Sequence, residues 1–466
     1  MEGEMVAATD VEMLRAALRG QVCLPGDAGY EKTCSIWNGA IRKRPSIVVH
    51  AAGPEDVVAA LAHARAHKLE VSVRGGGHNF SGSALTNGGL TIDLAALNSV
   101  TVDAAARRAV VGGGATWAQL DGAAQAHGLA APGGFISHTG VAGLTLGGGL
   151  GWLSRKAGLS CDCLVGAEVV TADGRIVRAS ADENADLFWG LRGGGGNFGV
   201  VTSFEFKLVE VGPLVQVGLF FFPPERGGEM LRLVRELTRG LPDNCGAFIG
   251  GLNAPPAPFM PPELHHKPMF VFGLVGYEDA ESHAKLVAPV QALSPRVQVV
   301  TPMPYVALQQ MFDPSAPWGI LAYEKAIHLD DLADGAIDIL VAEVHRKASP
   351  MSFVPMFCLG GAFARVGDDD TAFGGTRGTR FVVNVAAISP DPAVLEEDTA
   401  WARGLWAALV PYASGVGGYV NFMTEFEENR VRAAYGEAKY NRLAQLKAKY
   451  DPGNVFHVNG NIKPAG

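Results

Sequence analysis

The placing of glycine limits this fold more than any other feature: 60 glycines stand in 466 residues, and they gather in clusters. Glycine lacks a Cβ, so its backbone can turn sharply and come close to a ligand or another strand. The first cluster lies in residues 71–82, Val-Ser-Val-Arg-Gly-Gly-Gly-His-Asn-Phe-Ser-Gly. Val71-Ser72-Val73 alternates as a short strand, and Gly75, Gly76 and Gly77 follow at once. Successive N–H groups in such a turn form a concavity suited to phosphate, and Arg74 adds positive charge beside it. His78 stands where the turn ends and so points at whatever the loop holds. The alternative is a histidine hydrogen-bonded within a tight turn.

The surroundings of that loop read as a βαβ unit. Residues 46–50 form a strand, and Gly53-Pro54-Glu55-Asp56 opens a helix, with proline in its first turn and acids at its positive end. Val57, Leu61 and Ala64 recur at helical spacing before the next strand, which delivers the glycine loop at its C-terminal edge. Short strands are expected at 91–94 and 109–111, and a helix at 118–127. A second glycine concentration fills residues 132–152. Without a ligand or adjacent backbone to fill the space, so many small residues would waste chain entropy. A glycine-rich structural turn is the plainer alternative.

The third cluster, Gly194-x-Gly196-x-x-Gly199, fits the dinucleotide fingerprint as a bare pattern. That fingerprint needs a strand before it and a helix after it. Here a helical stretch (186–192) precedes and an alternating strand (200–206) follows, so a nicotinamide site is rejected. No Gly-Lys-Ser/Thr follows any cluster, which removes a P-loop as well.

The length predicts two domains, and 48% hydrophobic with 18% charged residues predicts a globular protein. A net charge of -9 argues against a nucleic-acid or anionic-membrane surface. Glu2 and Glu4 stand where a signal peptide would carry basic and then apolar residues, so a cytoplasmic location is expected. The uncharged stretch 128–154 is interrupted by Pro132, His138 and many glycines, and reads as buried loop rather than membrane span. Of six cysteines only Cys161 and Cys163 are close, with no cluster to complete a metal site. From residue 212 the composition changes. Apolar strands at 214–222, 269–275 and 381–388, with helices at 229–239, 280–293 and 330–345, predict a helix-backed antiparallel sheet. A closing helix is expected over 427–450, ending at Asp451-Pro-Gly-Asn454.

Arg-Gly-Gly-Gly-His-Asn resembles the flavin-attachment loop of the vanillyl-alcohol-oxidase superfamily, in its berberine-bridge-enzyme-like branch. Residues 132–162, the Leu-Phe-Trp…Gly-Gly-Gly-Asn-Phe-Gly-Val-Val segment and the closing Tyr440-Asn-Arg-Leu…Asn459-Gly-Asn461-Ile resemble the same branch. The resemblance implies an α+β fold: a PCMH-type FAD-binding domain (1–211), a central substrate domain (212–410) and a C-terminal return to the FAD domain (411–466). It implies FAD joined covalently to His78. The cofactor-binding residues it implies begin with Arg74, Gly75, Gly76, Gly77, Asn79, Gly82 and Ser83. Gly133, Ser137, His138, Thr139, Gly140, Gly143, Gly148 and Gly151 come from the second cluster. Val200 and Val201 flank the flavin, and Asn459 and Asn461 approach it. The implied reaction is hydride removal from a small-molecule substrate (an alcohol, a sugar or an amine), with molecular oxygen taking the electrons.

Two departures from the branch stand out. Some relatives attach the flavin a second time through a cysteine, but Ile136 occupies that position here, so a single linkage is expected. Many relatives carry a tyrosine where this chain has Ala157. The remaining candidates for the catalytic base are Tyr419 and Asn421, on a strand re-entering the FAD domain, and the hydroxyl–ammonium pair Tyr323 and Lys325. Glu425, Glu427 and Glu428 read as a charged helix start. The expected activity is that of an FAD-linked oxidase. Its rivals are a dehydrogenase of the same fold and a flavin-binding protein without redox turnover. Oligomeric state and substrate are not readable, although Tyr305, Phe312 and Trp318 hint at an aromatic pocket.

Overall fold

A computed structural model describes residues 8–414, 418–425 and 428–466. Glu2, Glu4 and Glu427 therefore lie outside the described residues. The described residues build a mixed α+β architecture with sheets of four, five, two and seven strands. The first sheet orders its strands Gln21–Cys23, Ile47–His50, Leu90–Asp93, Val71–Arg74. Its last two pairings are parallel, so the βαβ unit is real but has Leu90–Asp93 inserted between its two strands. The second sheet, antiparallel throughout, runs Val100–Asp103, Arg108–Gly112, Val200–Lys207, Leu164–Val170, Ile176–Ser180. Helix Ala185–Leu191 precedes the third glycine cluster and strand Val200–Lys207 follows it, the order that removes a nicotinamide fingerprint.

The central unit is a seven-stranded antiparallel sheet, ordered Val297–Pro304, Leu214–Phe222, Pro268–Gly276, Cys245–Asn253, Val354–Cys358, Phe381–Ser389, Leu321–Leu329. Six of its strands are largely buried on both faces and correspondingly apolar, whereas the edge strand Val297–Pro304 alternates half-buried and exposed residues. Phe220, Phe222, Phe270 and Phe272 pack against Met230, Val287, Leu340 and Leu405 of the helices behind. Leu219, Phe221, Phe248 and Val271 look the other way, toward the glycine-rich loops. Strand Val297–Pro304 tolerates Pro302 and Pro304 because it is an edge strand.

The expected closing helix is two helices, Glu428–Tyr435 and Glu437–Tyr450. Gly436 between them takes φ +73°, a backbone conformation that favours glycine and separates the two helices. At the end of the second, Lys447 in its last turn and Asp451 just after it form a wholly buried ion pair at 2.7 Å. The Lys447 ammonium also donates to the carbonyls of Asn197 and Phe456, both at 2.8 Å. The Asn197 amide nitrogen donates to the Gly460 carbonyl, and its amide oxygen accepts from the Ile462 N–H. The C-terminal tail is thereby clasped to the third glycine turn.

A second buried lock joins the second glycine cluster to the central unit. Arg377 grips Asp162 with two parallel bonds of 2.8 Å, and its guanidinium lies over the rings of Phe363 and Phe373. Arg155 is buried too, donating to the carbonyls of Leu359 and Leu241. Among the described residues no helix is long and apolar enough to cross a membrane, and no group of His, Cys, Asp or Glu could hold a metal ion. All six cysteines are buried and free of disulfides.

Candidate functional site

Two glycine loops cross at the centre of the site. A Cβ on Gly76 would stand 2.3 Å from the Gly140 nitrogen, and one on Gly140 would stand 2.4 Å from the Gly76 nitrogen. Neither position can carry a side chain while the loops touch. The crossing brings His78 against the residues just before Gly140. His78 Nε2 lies 2.8 Å from His138 Nδ1, and His78 Nδ1 lies 3.4 Å from the Thr139 hydroxyl. Trp37 stacks on the His78 imidazole, centroids 5.5 Å apart at 17°, and Trp318 meets it edge-on at 5.4 Å. Burial first, then the neighbouring His138, pushes the His78 pKa down to about 3. The ring is therefore neutral at any physiological pH.

His78 forms part of the wall of a cavity of about 970 Å³ that runs from the glycine loops to the inner face of the central sheet. That volume lies at the upper end of ordinary ligand pockets. From the residues named by sequence, the cavity is lined by Gly75, Gly76, Gly77, Asn79, Ser83, Thr139, Gly140 and Gly143. Val200, Val201 and Asn459 line it as well. The end with the glycines has the character of an FAD cradle, made of bare backbone. The buried amide oxygen of Asn459 there has no partner among the described residues. An extended, polar-headed group such as FAD fits these features.

Other named residues lie behind the wall. Arg74 is not a phosphate partner in this geometry: its guanidinium donates to the Thr33 carbonyl and lies 3.8 Å from the Asp93 carboxylate. Gly82 packs against Ile41, and Gly133 and Gly151 meet backbone to backbone. Ser137 is held by Asp313, which accepts from its N–H at 2.8 Å and its hydroxyl at 2.6 Å. His138 backs His78, Gly148 faces Phe373 and Tyr419, and Asn461 lies beyond the lining residue Gly460.

The four candidates for the base divide into a pair away from the cavity and a pair that lines it. Tyr323 and Lys325 lie on the helix-facing side of Leu321–Leu329, away from the cavity, where Glu425 gathers both. The Tyr323 hydroxyl donates to Glu425 at 3.3 Å, and the Lys325 ammonium lies 3.6 Å from it, beside Arg403 and Arg430. Glu425 is thus an ion-pair hub rather than a helix start. Tyr419 and Asn421 do line the cavity, Asn421 within the single helical turn Val420–Phe422 and Tyr419 just before it, in place of the expected strand. The Tyr419 oxygen accepts from the Gly149 N–H at 2.7 Å and from the Asn421 amide at 2.8 Å, and burial pushes its pKa well up. Asn421 also donates to the Leu144 carbonyl. Both residues pin the second glycine loop, and the Tyr419 hydroxyl does so from the cavity wall.

The reading from sequence passed over Glu324 and Asn384. Both line the cavity from the central sheet, and each has a buried oxygen without a partner. The available signal was position: in Tyr323-Glu324-Lys325 the acid alternates with its neighbours, so one face of the strand takes it and the other face takes them. It also passed over Trp37, and Gly195 and Gly196 on the cradle side.

Residues 45–180 match a family model described as an FAD binding domain, and residues 418–463 match one described as berberine and berberine like. An FAD-linked oxidoreductase of Dictyostelium discoideum is 30% identical over 454 residues, 96% of this chain and 95% of its own. The (R)-6-hydroxynicotine oxidase of Paenarthrobacter nicotinovorans is 31% identical over 469 residues, 97% of this chain and 98% of its own. Among solved structures, 6-hydroxy-D-nicotine oxidase from Arthrobacter nicotinovorans superposes with a TM-score of 0.84 at 27% identity, covering 96% of this chain and 98% of that one. Glucooligosaccharide oxidase from Acremonium strictum, described with a 6-S-cysteinyl, 8α-N1-histidyl FAD, shares the fold with a TM-score of 0.86 at 22% identity, over 98% of this chain and all of that one.

Proposed function

This chain belongs to the berberine-bridge-enzyme-like family of FAD-linked oxidoreductases, and on that premise we propose an oxidase that holds its flavin through His78 and returns electrons to molecular oxygen. The observation that carries this reading is a neutral imidazole set in the wall between a glycine cradle and an aromatic chamber. When bound, FAD supplies an acceptor for a hydride and a ring methyl carbon to which an imidazole nitrogen can be joined.

The residues of the chain divide the remaining work. Backbone N–H groups of residues 75–77 and 195–196, with Asn459, would hold the cofactor, and Val200 and Val201 would flank it. We assign the His78 proton to Nε2, donated to His138 Nδ1, which leaves the Nδ1 lone pair for the covalent bond. Trp37 and Trp318 keep the ring from rotating and keep water from it. Tyr419 and Asn421 fix the loop at residues 144–149. In this reading residues 1–211 and 411–466 wrap the cofactor, and the sheet of residues 212–410 closes the substrate side. A single linkage is proposed, because Ile136 lines the cavity where no cysteine does.

The test begins with colour. The purified protein is expected to be yellow and to keep that colour through acid precipitation. Substrate should bleach it without air, and admitted oxygen should restore it within the time of one turnover. Colourless protein after flavin supplementation would sink the reading, and a bleached flavin stable in air would make the enzyme a dehydrogenase. A flavin-bearing cysteine peptide would contradict the single linkage. His138→Gln is expected to slow covalent attachment by roughly a hundredfold, the contribution of a positioned proton acceptor. The fluorescence of denatured bands over time measures it.

A further inference from the structure

The chamber beyond the cradle is walled by aromatic rings. Phe135 stacks on Phe357 with centroids 4.8 Å apart, Phe248 lies 5.3 Å from Phe312, and Phe357 lies 5.6 Å from Phe422. Set in this wall is one carboxyl. Among the described residues lining the cavity, Glu324 is the single Asp, Glu, Lys or Arg. It is 6% exposed, and its Oε2 is hydrogen-bonded to nothing.

The sheet fixes Glu324 in this position. Glu324 pairs with Ala386, and Ala326 pairs with Asn384, so Glu324 and Asn384 share one face on neighbouring strands. Thr424 seals the outer edge: its hydroxyl accepts from the Glu324 N–H at 2.9 Å and donates to the Glu324 carbonyl at 3.2 Å. Burial raises the carboxyl pKa to about 8, opposed only by the nearby Asn384 amide. The adjacent Lys325 is turned to the opposite face and engaged with Glu425. A buried carboxylate without a counter-charge is costly, and among the described residues lining the cavity there is no Lys or Arg to offset it.

We propose that Glu324, with Asn384 beside it, anchors the amino group of the substrate, and that this substrate is a compact amine with an apolar body rather than a saccharide. The proposal rests on the oxidase reading above for its chemistry, though not for its binding. An ammonium provides the charge that the chamber lacks, and the phenyl rings take the hydrocarbon part. A saccharide carries a hydroxyl on nearly every carbon, and a wall of phenylalanine would leave most of them without partners. Before oxidation a proton passes from the ammonium nitrogen to a Glu324 oxygen, breaking N–H and forming O–H. The neutral amine lone pair would then assist loss of hydride from the adjacent carbon, for which bound FAD would be the acceptor. The product is an iminium ion, and the proton stays on Glu324.

The test uses the flavin-loaded protein under nitrogen, with benzylamine, benzyl alcohol and cellobiose as probes and titration calorimetry as readout. Benzylamine is expected to bind at least ~10-fold more tightly than either of the others. Glu324→Gln, nearly the same shape, should weaken benzylamine by ~10-fold or more, the scale of losing a buried charge partner, while moving benzyl alcohol less than about twofold. Cellobiose binding as tightly as benzylamine, benzylamine failing to bind, or an unchanged affinity in Glu324→Gln would each overturn the proposal. The flavin spectrum is recorded in the same cell. If benzylamine binds through Glu324 and the flavin stays oxidised, the anchor stands and the oxidase reading fails.

Discussion

Alanine in place of His78 is expected to give a folded protein from which every trace of flavin is released by acid or heat. The glycine crossing does not depend on the imidazole: Gly76 and Gly140 touch through their backbones, and Trp37 is held by its own bond to the Ala316 carbonyl. The substitution therefore removes the nucleophile and leaves the cradle. Flavin measured in the supernatant after precipitation should account for all that the native protein carried. Flavin retained on the polypeptide would falsify the assignment of His78. A companion result concerns pH. An imidazole with an ordinary pKa near 6.5 would be about 30-fold less available at a pH of about 5. His78, held down to about 3 by burial and by His138, loses its proton well below that point and stays available as the pH falls. Attachment followed from about pH 5 to about pH 8 should thus show no loss attributable to His78 ionisation. A steep fall toward acid would mean that the imidazole is more solvated than the structure shows.

The parts of this molecule legible in the sequence are those with a steric reason to be invariable in kind. The crossing at Gly76 and Gly140 demands two bare backbones, so both loops announced themselves as clusters, and His78 followed from its place beside one. The central sheet was legible as apolar runs at 214–222 and 381–388, since a sheet covered on both faces has little else to show. That same property hid the phase of its strands. With no polar face to mark the outside, the run Tyr323-Glu324-Lys325 does not say which side meets the cavity; in the structure the glutamate lines it, and the tyrosine and lysine face the helices. Arg74 misled for a related reason. A cation beside a phosphate-like loop suggests an anion, but which anion depends on distant chain, and here the Thr33 carbonyl and Asp93 claim it. The aromatic chamber is assembled from loops and strands more than 280 positions apart in the chain (Phe135 to Phe422), a juxtaposition no local pattern encodes.

The largest loss of stability is expected from Asp451→Asn. Lys447 and Asp451 are wholly buried and 2.7 Å apart, and the asparagine would leave an ammonium without its counter-charge. Breaking such a pair from one side costs about 3–5 kcal/mol, a sizeable part of the whole stability of a typical domain. The carboxylate also accepts from the N–H groups of Val455 and Phe456, and an amide presents only one oxygen for those two. The damage should spread along the tail, because Lys447 holds the Asn197 carbonyl and Asn197 holds Gly460 and Ile462. Asn459 and Gly460 line the cavity, so flavin occupancy should fall together with the melting temperature. Burial already lowers the Lys447 pKa, with Asp451 opposing it. Without that opposition the folded value drops further below the unfolded value of about 10.4, so the unfolded chain binds the extra proton between the two. The deficit is then fully present below the folded pKa and shrinks as the pH rises through it. Replacing both residues with apolar ones of similar volume should recover much of the melting temperature but not the tail contacts made by the ammonium. A single variant that melts with the parent at neutral pH would show that the tail is held elsewhere, and that the cradle does not depend on this pair.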